Sequence, residues 1–377
     1  MDRRDFLTYS ATGMAGLCLA GTPLSAMAAT GKKKAKEYSV VMLGDTHFDT
    51  EPDTVYHSMY NEPVQWLNDV QRKEFARNGE MWRERCPRLV KRAGCLIDDD
   101  TRMVLQMGDL IQGDCGNGDV HRKMLDDVMN RFKADFGGLP FVTVVGNHDI
   151  RGVDAEAVYH SYMPQRISQE LGKEIGKTTF SFNIGPDAFL VLDFNKPDDA
   201  EIEKLLKENK GARHTFVMTH GPLFPYDGTS CRWFFHGGDT PGDTEARRHF
   251  RMEFAKRDVI CLCGHTHYTE FADWRGDGGR ITQMTMSSVW GKEKEGIFRP
   301  DAESPESYGT LRESPKKKDS PDYKNETVLF EEYRPGLQTY LHTRTAGCYK
   351  LIVKGKKVWI DFYAGDSTFL TRRFEIR

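Results

Sequence analysis

The sequence lacks a long apolar segment, an excess of either charge and a dense set of cysteines. No apolar run reaches the roughly 20 residues that a membrane-spanning helix needs, and the mean hydropathy of -0.60 favours a soluble protein. The 53 basic and 56 acidic residues leave a formal charge of -3, so no basic excess exists to bind a nucleic-acid backbone. Eight cysteines without a CxxC pair exclude a disulfide scaffold and a structural zinc cluster. With 377 residues, of which 38% are hydrophobic, the chain is expected to fold as one large or two small domains.

The N-terminus has the layout of an export signal. Arg3-Arg4 precedes a mildly apolar stretch, and Ala26-Met27-Ala28 forms a small-residue cleavage site. The paired arginines make residues 1–28 resemble a twin-arginine signal peptide, the bacterial route for folded proteins. We therefore expect passage through the twin-arginine export machinery, cleavage after Ala28, a polar linker over 29–36 and a periplasmic or otherwise exported mature chain. An ordinary amphipathic helix is the alternative.

Short apolar runs alternate with helix-like stretches, which indicates an α/β architecture. The runs predict buried strands at 38–43, 103–107, 141–145, 189–192, 216–218 and 259–263. Helices are predicted between them at 120–136, 154–171, 199–207 and 244–256. Pro164 is expected to break the second helix. Beyond residue 347 the pattern changes to three runs without helices, at 348–353, 357–363 and 374–377, which predict antiparallel strands of a second sheet.

Two long segments interrupt this order within a single domain predicted over 37–377. Residues from about 49 to 101 form an insertion with a helix-like part. Residues from about 291 to 335 are polar and rich in Pro, Ser, Glu and Lys. Since long connections are often functional lids or disordered, we expect a helical insertion in the first case and a mobile surface loop in the second.

Metal-ligand residue types follow five of the six predicted buried strands. The blocks are Gly44-Asp45-Thr46-His47, Gly108-Asp109, Gly146-Asn147-His148-Asp149, Thr219-His220-Gly221-Pro222 and Gly264-His265-Thr266-His267. Carboxylates and imidazoles bind hard or borderline metal ions, and one carboxylate can bridge a pair of them. Because ligands of open α/β sheets bind beyond the carboxyl ends of the strands, these blocks indicate a two-metal hydrolytic site.

In their order, the five blocks resemble the motifs of the calcineurin-like metallophosphoesterase family, which are D-x-H, GD, GNH(D/E), H and GHxH. The resemblance spans Asp45 to His267. It implies a four-layer α/β/β/α sandwich with two mixed sheets. It also implies two divalent or trivalent metal ions, for which manganese, iron and zinc all suit the ligand types.

The resemblance assigns a role to each of these side chains. One metal ion would be bound by Asp45, His47 and His267. The other would be bound by Asn147, His220 and His265. Asp109 would bridge the two ions, and His148 would donate a hydrogen bond or a proton to the phosphate or the leaving oxygen. The implied reaction is in-line attack by a metal-bound hydroxide on a small phosphomonoester or phosphodiester.

Two departures narrow the subgroup within the family. Gln112 stands where purple acid phosphatases have the tyrosine that binds ferric iron, which disfavours a tyrosinate-bound enzyme. The run from Gly108 to Asp114 differs from the GDxVDRG of protein serine/threonine phosphatases, which disfavours phosphoprotein substrates. Any acidic partner of His148 must therefore come from elsewhere in the chain.

Substrate choice is expected to depend on the segment after His220. Arg232 is a candidate to pair with a phosphate oxygen, and Trp233 or Phe234 is a candidate to stack on a base or sugar. Tyr226 is a third candidate substrate-binding residue. The alternative interpretation of this segment is a hydrophobic clasp with an exposed arginine.

Two other functions are compatible with the same fold. A metal-dependent nuclease is disfavoured by the near-neutral charge and by the export signal. A non-catalytic binding module would have a degenerate site, whereas every ligand of the family pattern is present here.

Overall fold

The computed structural model describes residues 37–49, 83–115, 117–226, 233–288, 297–311, 321–365, 367 and 369–377. The predicted signal peptide at 1–28, the linker at 29–36 and the larger part of the insertion at 49–101 lie outside these residues. The described residues contain thirteen β-strands. They are β1 (Glu37–Leu43), β2 (Thr101–Gln106), β3 (Phe141–Thr143), β4 (Phe180–Ile184), β5 (Asp187–Leu192), β6 (Thr215–Thr219), β7 (Ile260–Cys263), β8 (Thr269–Gly276), β9 (Gly279–Thr285), β10 (Leu337–Thr343), β11 (Gly347–Lys354), β12 (Lys357–Ala364) and β13 (Arg372–Glu375).

Six α-helices accompany the strands in the same part of the chain. They are α1 (Cys86–Gly94), α2 (Gly118–Asp135), α3 (Ala155–Leu171), α4 (Asp199–Glu208), α5 (Pro241–Lys256) and α6 (Pro321–Tyr333). Local chemistry fixes where several of them begin. The side chain of Asp198 accepts from the backbone N–H of Glu201 at the start of α4, and Thr240 and Asp243 form a capping box at the start of α5.

The strands form two mixed sheets. The first has the order β13-β12-β11-β1-β2-β3, and the second has the order β10-β8-β9-β7-β6-β5-β4. β1, β2 and β3 run parallel at one side of the first sheet, with β3 at its edge. β5, β6, β7 and β9 run parallel in the middle of the second sheet. Antiparallel strands complete the first sheet beside β1 and the second sheet beside β5 and β9.

Side chains of the central strands alternate between two hydrophobic cores. In β1, Val40 and Met42 belong to a core that contains side chains of both sheets. Val41 and Leu43 belong to a second core with residues of α1, α2 and α3. The outer face of the other sheet packs on α4, α5 and α6 through a third core. Because strand side chains point alternately to opposite faces, this pattern stacks the elements as α/β/β/α, which confirms the predicted sandwich.

The antiparallel tail differs from the prediction in one respect. β11, β12 and β13 form as expected, but β11 pairs with β1, from Glu37 opposite Lys354 to Met42 opposite Tyr349. The tail therefore extends the first sheet and does not build a second one. Strand pairing between residues more than 300 positions apart depends on tertiary packing, which local sequence patterns do not record.

The expected break at Pro164 is wrong. α3 continues through it from Ala155 to Leu171, with Pro164 inside the helix. Proline removes one backbone hydrogen bond and costs about 3 kcal/mol in a helix interior. Here Tyr159 and Met163 are buried in one core and Ile167 in another, on either side of the proline. We attribute the uninterrupted helix to this packing.

The polar segment at 291–335 is also more structured than predicted where it is described. Residues 321–333 form α6, and Leu329, Phe330 and Tyr333 are buried in the core with α4 and α5. A short 3-10 helix lies at Pro305–Ser307. The surrounding Pro, Ser, Glu and Lys residues obscure the few apolar positions that anchor this helix.

Two further features concern the described residues as a group. None of their helices is both long and apolar enough to cross a membrane. All of their cysteines are free thiols, and Cys261 and Cys263 are fully buried in β7, as expected for small apolar side chains.

Candidate metal centre at the edge shared by the two sheets

Loops at the carboxyl ends of five parallel strands bring the predicted ligands together. The loop after β1 carries Asp45 and His47, the loop after β2 carries Asp109, and the loop after β3 carries Asn147. The loop after β6 carries His220, and the loop after β7 carries His265 and His267. The two sheets therefore contribute different ligands to one centre. This is the arrangement that the motif spacing predicted.

Two groups of side chains could each hold a metal ion. One contains Asp45, His47, Asp109 and His267, and the other contains Asp109, His220 and His265. Within each group, one ligand atom per residue lies within 4.8 Å of the others. Asp109 belongs to both, and its Oδ2 is 3.6 Å from Nε2 of His47 and 3.2 Å from Nε2 of His220. A carboxylate oxygen between two imidazoles suits a bridging ligand.

The remaining ligand atoms converge in the same way. Nε2 of His267 lies 3.1 Å from Oδ2 of Asp45 and 3.2 Å from Nε2 of His47. In the other group, Nε2 of His220 lies 3.1 Å from Nδ1 of His265 and 3.1 Å from Oδ1 of Asn147. All seven predicted ligands thus face one of two neighbouring points.

Each carboxylate is held through one oxygen and presents the other. Oδ1 of Asp109 accepts a hydrogen bond of 2.7 Å from the backbone N–H of His148. Oδ1 of Asp45 accepts a hydrogen bond of 3.0 Å from the backbone N–H of His265. The Oδ2 atoms are the ones that face the imidazoles. Such supporting bonds orient a ligand before a metal ion binds.

Two histidines are oriented by oxygen acceptors on their far side. Nδ1 of His220 lies 2.7 Å from the carbonyl oxygen of Met107, and Nδ1 of His47 lies 3.2 Å from Oε1 of Gln112. Because an oxygen acceptor requires a ring N–H, the proton of each ring is placed on Nδ1. In the neutral form of each ring, the lone pair of Nε2 then points into the centre, as metal binding requires.

The backbone around the ligands is unusual. His47, Asp109, His265 and His267 all have positive φ angles, of 43°, 49°, 70° and 61°. Such angles are uncommon for residues other than glycine and cost on the order of 1–3 kcal/mol each. Strain of this kind accumulates where side chains must be aimed for a function.

Two glycines allow the loops to approach the carboxylates closely. A Cβ atom at Gly146 would overlap with the backbone nitrogen and Oδ1 of Asp109. A Cβ atom at Gly264 would overlap with Oδ1 of Asp45. The glycines of the GNH and GHxH motifs therefore serve close packing against the ligands.

Burial and crowding shift the pKa values of the ligands in opposite directions. Burial and the neighbouring imidazoles, of which His148 and His220 act most strongly, lower the pKa values of His47 and His265 well below the usual range. Burial also acts against a charge on His220, but Asp109 and Asp45 outweigh it and raise its pKa to about 9. The neutral imidazoles of His47 and His265 are in the form that binds metal ions.

These observations fit a pair of metal ions. Oδ2 of Asp45 is buried, and the described residues donate no hydrogen bond to it, although Nε2 of His267 is close. An ionised carboxylate oxygen buried without a donor is costly unless a cation binds it. The donor set of two carboxylates, one amide and four imidazoles suits manganese, iron or zinc.

His148 lies beside the first group of ligands. Its ring is 4.4 Å from that of His47, centroid to centroid, and its Nδ1 lies 2.8 Å from the carbonyl oxygen of Gln112. The partner that sequence reasoning sought among acids is therefore a backbone carbonyl. Burial lowers the pKa of His148 to about 3 despite the opposing effect of Asp109, so the ring is neutral at pH 7 before substrate binds.

Asp149 connects two of the ligand loops. Its Oδ2 accepts from the backbone N–H of Gly146 at 2.8 Å, and its Oδ1 accepts from that of Ile111 at 3.1 Å. Asp149 therefore fixes the loops after β2 and β3 relative to each other. These hydrogen bonds give Asp149 a supporting role for the loops that carry Asp109 and Asn147.

The candidate substrate-binding residues have different environments. Trp233 is 50% exposed and stacks on His265, with ring centroids 5.3 Å apart and planes inclined by 16°. Tyr226 contacts the edge of the same imidazole but is only 7% exposed. Phe234 is buried in the core below. Arg232 lies outside the described residues.

Sequence reasoning missed two residues that contact the centre, Gln112 and Phe194. Gln112 supports His47 with its side chain and His148 with its backbone. Phe194 follows β5 by two residues, and its ring is tilted against those of His220 and His265, with ring centroids 5.8 and 5.7 Å apart. Its position close after a buried strand was the available signal, but a phenylalanine there matches no ligand motif.

Comparison with known proteins gives a family and a set of similar folds. A family model described as calcineurin-like phosphoesterase matches residues 38–269, more than half of the chain. Three solved structures are similar at 12% identity over 90% of this chain. PhoD has a TM-score of 0.49 with 68% of its chain covered. GAP50, the anchor in the inner membrane complex of Plasmodium, has a TM-score of 0.46 with 88% of its chain covered. A dimetal phosphatase from Danio rerio has a TM-score of 0.47 with 98% of its chain covered.

No curated protein matches the chain. The family match covers every strand-end loop that supplies a ligand, from β1 to the loop after β7. The chain therefore belongs to the calcineurin-like phosphoesterase family and is a metal-dependent phosphoester hydrolase.

Proposed function

We propose that the protein is an exported phosphoesterase with two metal ions that hydrolyses a small phosphomonoester or phosphodiester. The observation that carries the proposal is the position of Asp109, which belongs to both groups of candidate ligands. Its Oδ2 faces His47 on one side and His220 on the other. A shared carboxylate holds two ions close enough to act on one phosphate group.

The assignment of ligands follows from the same contacts. Asp45, His47 and His267 would hold one ion together with Asp109. Asn147, His220 and His265 would hold the other with Asp109, which is supported by the 3.1 Å approach of Asn147 Oδ1 to His220 Nε2. When bound, the two ions supply a nucleophile at neutral pH and neutralise charge on the phosphoryl oxygens.

The chain itself contributes orientation and proton control. The Nδ1–H of His148 donates a hydrogen bond to the backbone carbonyl oxygen of Gln112, which leaves Nε2 for the substrate. A phosphate group next to Nε2 favours the protonated imidazole, because a nearby negative charge stabilises the positive form. His148 would then donate a hydrogen bond or a proton to a phosphate oxygen or to the leaving oxygen.

Export is supported by the N-terminal sequence alone. Arg3-Arg4, the apolar stretch after it and the Ala26-Met27-Ala28 site form the pattern of a twin-arginine signal. These residues lie outside the described part of the structure. Fractionation of cells that produce the full-length chain, beside a variant with Arg3 and Arg4 changed to lysine, tests this part of the proposal.

Hydrolysis of two chromogenic esters tests the enzymatic part. The chain without residues 1–28 is loaded separately with manganese, iron or zinc and assayed on para-nitrophenyl phosphate and bis-para-nitrophenyl phosphate. Asp109→Asn keeps the shape of the side chain but removes the bridging charge, and we expect loss of turnover to background. His148→Ala should lower kcat by about 10²–10⁴-fold with both metals retained.

A matched control uses His249→Ala. His249 is an exposed histidine that pairs with Glu203 between α5 and α4, so its removal should leave turnover unchanged. The ester that is hydrolysed faster shows whether the enzyme prefers phosphomonoesters or phosphodiesters. Two bound metal ions without hydrolysis of either ester would instead support the non-catalytic binding module.

A further inference from the structure

Trp233 is the one large hydrophobic side chain that is both well exposed and in contact with a candidate metal ligand among the described residues. Its indole is 50% exposed, and its plane lies almost parallel to that of His265, with ring centroids 5.3 Å apart. An exposed apolar surface at this place requires an explanation beyond chance.

The residues that follow Trp233 hold it in place. Phe234 and Phe235 are 2% and 3% exposed and insert into the core formed with α4 and α5. The backbone N–H of Phe235 donates a 2.8 Å hydrogen bond to the carbonyl oxygen of Pro222, which lies two residues after His220. The hydrophobic clasp considered from the sequence is therefore made by Phe234 and Phe235. Trp233 is left outside it as a fixed, half-exposed ring.

Other aromatic side chains already support the imidazole of His265. Tyr226 contacts it edge-on with centroids 5.8 Å apart, and Phe194 lies tilted at 5.7 Å. Tyr226 is buried and Phe194 is half-buried. With these contacts in place, a buried or smaller side chain at position 233 would suffice to keep His265 in position. The exposed half of the indole is then available for a ligand.

We propose that Trp233 is a stacking platform for a planar aromatic ring in the alcohol part of the substrate ester. This inference rests on the proposed function, because the phosphate of the same molecule would occupy the centre at His265. The indole lies next to the imidazole of His265, with ring centroids 5.3 Å apart. An aromatic ring that is joined to the phosphate through a short alcohol can therefore reach the indole. Nucleosides and simple aryl groups share this chemistry.

The experiment compares three phosphate esters on the metal-loaded protein. Adenosine 5′-monophosphate carries a base, phenyl phosphate carries a simple aryl group, and glycerol 3-phosphate has no ring. Stacking of a base on an aromatic side chain contributes a factor of about ten in affinity. We therefore expect Trp233→Ala to lower kcat/KM for one or both ring-bearing esters by about tenfold, mainly through KM. Hydrolysis of glycerol 3-phosphate should be unchanged, and Trp233→Phe should restore most of the loss.

Trp359→Ala is the matched control. Trp359 is a partly exposed tryptophan on β12, in register with Ile352 of β11, which in turn pairs with Ser39 near the start of β1. The candidate metal centre follows the opposite end of β1. This variant should therefore not change the ratio of kcat/KM between the three esters.

The outcomes separate the two proposals. Loss on adenosine 5′-monophosphate alone assigns a nucleoside, and loss on phenyl phosphate as well assigns any planar ring. Equal losses on all three esters in Trp233→Ala, or no preference of the unaltered protein for ring-bearing esters, would overturn the stacking platform and leave the phosphoesterase intact. Failure of the metal-loaded, unaltered protein to hydrolyse any of the three esters or either para-nitrophenyl ester would remove the proposed function, and the platform with it.

Discussion

At the scale of single residues, the centre is built by constraints on the backbone as much as by the ligands themselves. Four candidate ligands have positive φ angles, and Gly146 and Gly264 approach the two carboxylates too closely for a side chain. In Asp45 and Asp109, one carboxylate oxygen accepts a hydrogen bond from a backbone N–H and the other faces imidazoles. Conformations of this cost persist only where the surrounding structure imposes them.

The first prediction concerns Gly146. Gly146→Ala should displace Asp109, because the new Cβ would overlap with the backbone nitrogen and Oδ1 of that residue. We expect metal binding to weaken by about 10- to 100-fold, as when supporting groups of a metal site are lost. Isothermal titration with manganese measures the change. Gly176→Ala is the control, since a Cβ there meets nothing within 4 Å; equal affinity of the two variants would refute this account of the loop.

Much of the centre could be predicted at this scale because the ligands lie in short motifs. All seven candidate ligands and His148 were predicted from five sequence blocks, and the structure brings these side chains together. Gln112 could not be assigned its supporting role, because the sequence does not show that the loop after β2 passes both His47 and His148. Hydrogen bonds between distant loops leave no local pattern.

At the scale of elements, six of the seven strands that pair in parallel were the most predictable part of the fold, and β9 was the exception. β1, β2, β3, β5, β6 and β7 are short apolar runs because they are covered on both faces. β8 was missed because its sequence includes Glu270 and Asp273, which are buried but paired with Tyr340 and Arg280. Polar residues that find partners only in the folded chain hide a strand from sequence patterns.

The second prediction concerns the connection between α3 and the loop after β5. Nε2 of His160 in α3 lies 3.0 Å from Oδ2 of the buried Asp193, and the hydrogen bond to Asp193 raises the pKa of His160 above its usual value of 6.5. The stabilisation is therefore fully present below about pH 6.5 and is lost as the pH rises through the pKa of the folded state. His160→Gln should lower the free energy of unfolding more at about pH 5 than at about pH 9, by up to about 1 kcal/mol.

Urea denaturation at the two pH values measures this difference. His249→Gln is the control, because its exposed pair with Glu203 should contribute little at either pH. A loss of stability in His160→Gln that is larger at the higher pH would contradict the assignment of this pair.

At the scale of the whole molecule, the centre joins the two sheets. Asp45, Asp109 and Asn147 follow strands of the first sheet, and the histidines at 220, 265 and 267 follow strands of the second. Both candidate ligand groups draw on both sheets. Bound metal ions would therefore act as links between the two halves of the sandwich and stabilise the folded state in which the halves are packed together.

The third prediction follows from this position. Removal of metal by a chelator should lower the melting temperature by roughly 5 °C or more, because ions that bind only the folded chain stabilise it. Differential scanning calorimetry of the metal-loaded and chelated protein measures the shift. In Asp109→Asn, the melting temperatures of the metal-loaded and the chelated protein should differ by less. An unchanged melting temperature on chelation of the unaltered protein would refute the proposal that metal ions link the two sheets.

The most direct test of the central claim is the number of metal ions bound per chain, measured by inductively coupled plasma mass spectrometry after reconstitution and desalting. The shared position of Asp109 predicts two ions in the unaltered protein and fewer than two in Asp109→Ala, with the hydrolysis of para-nitrophenyl phosphate lost in parallel. A single ion per chain, or two ions that persist in Asp109→Ala, would contradict the account.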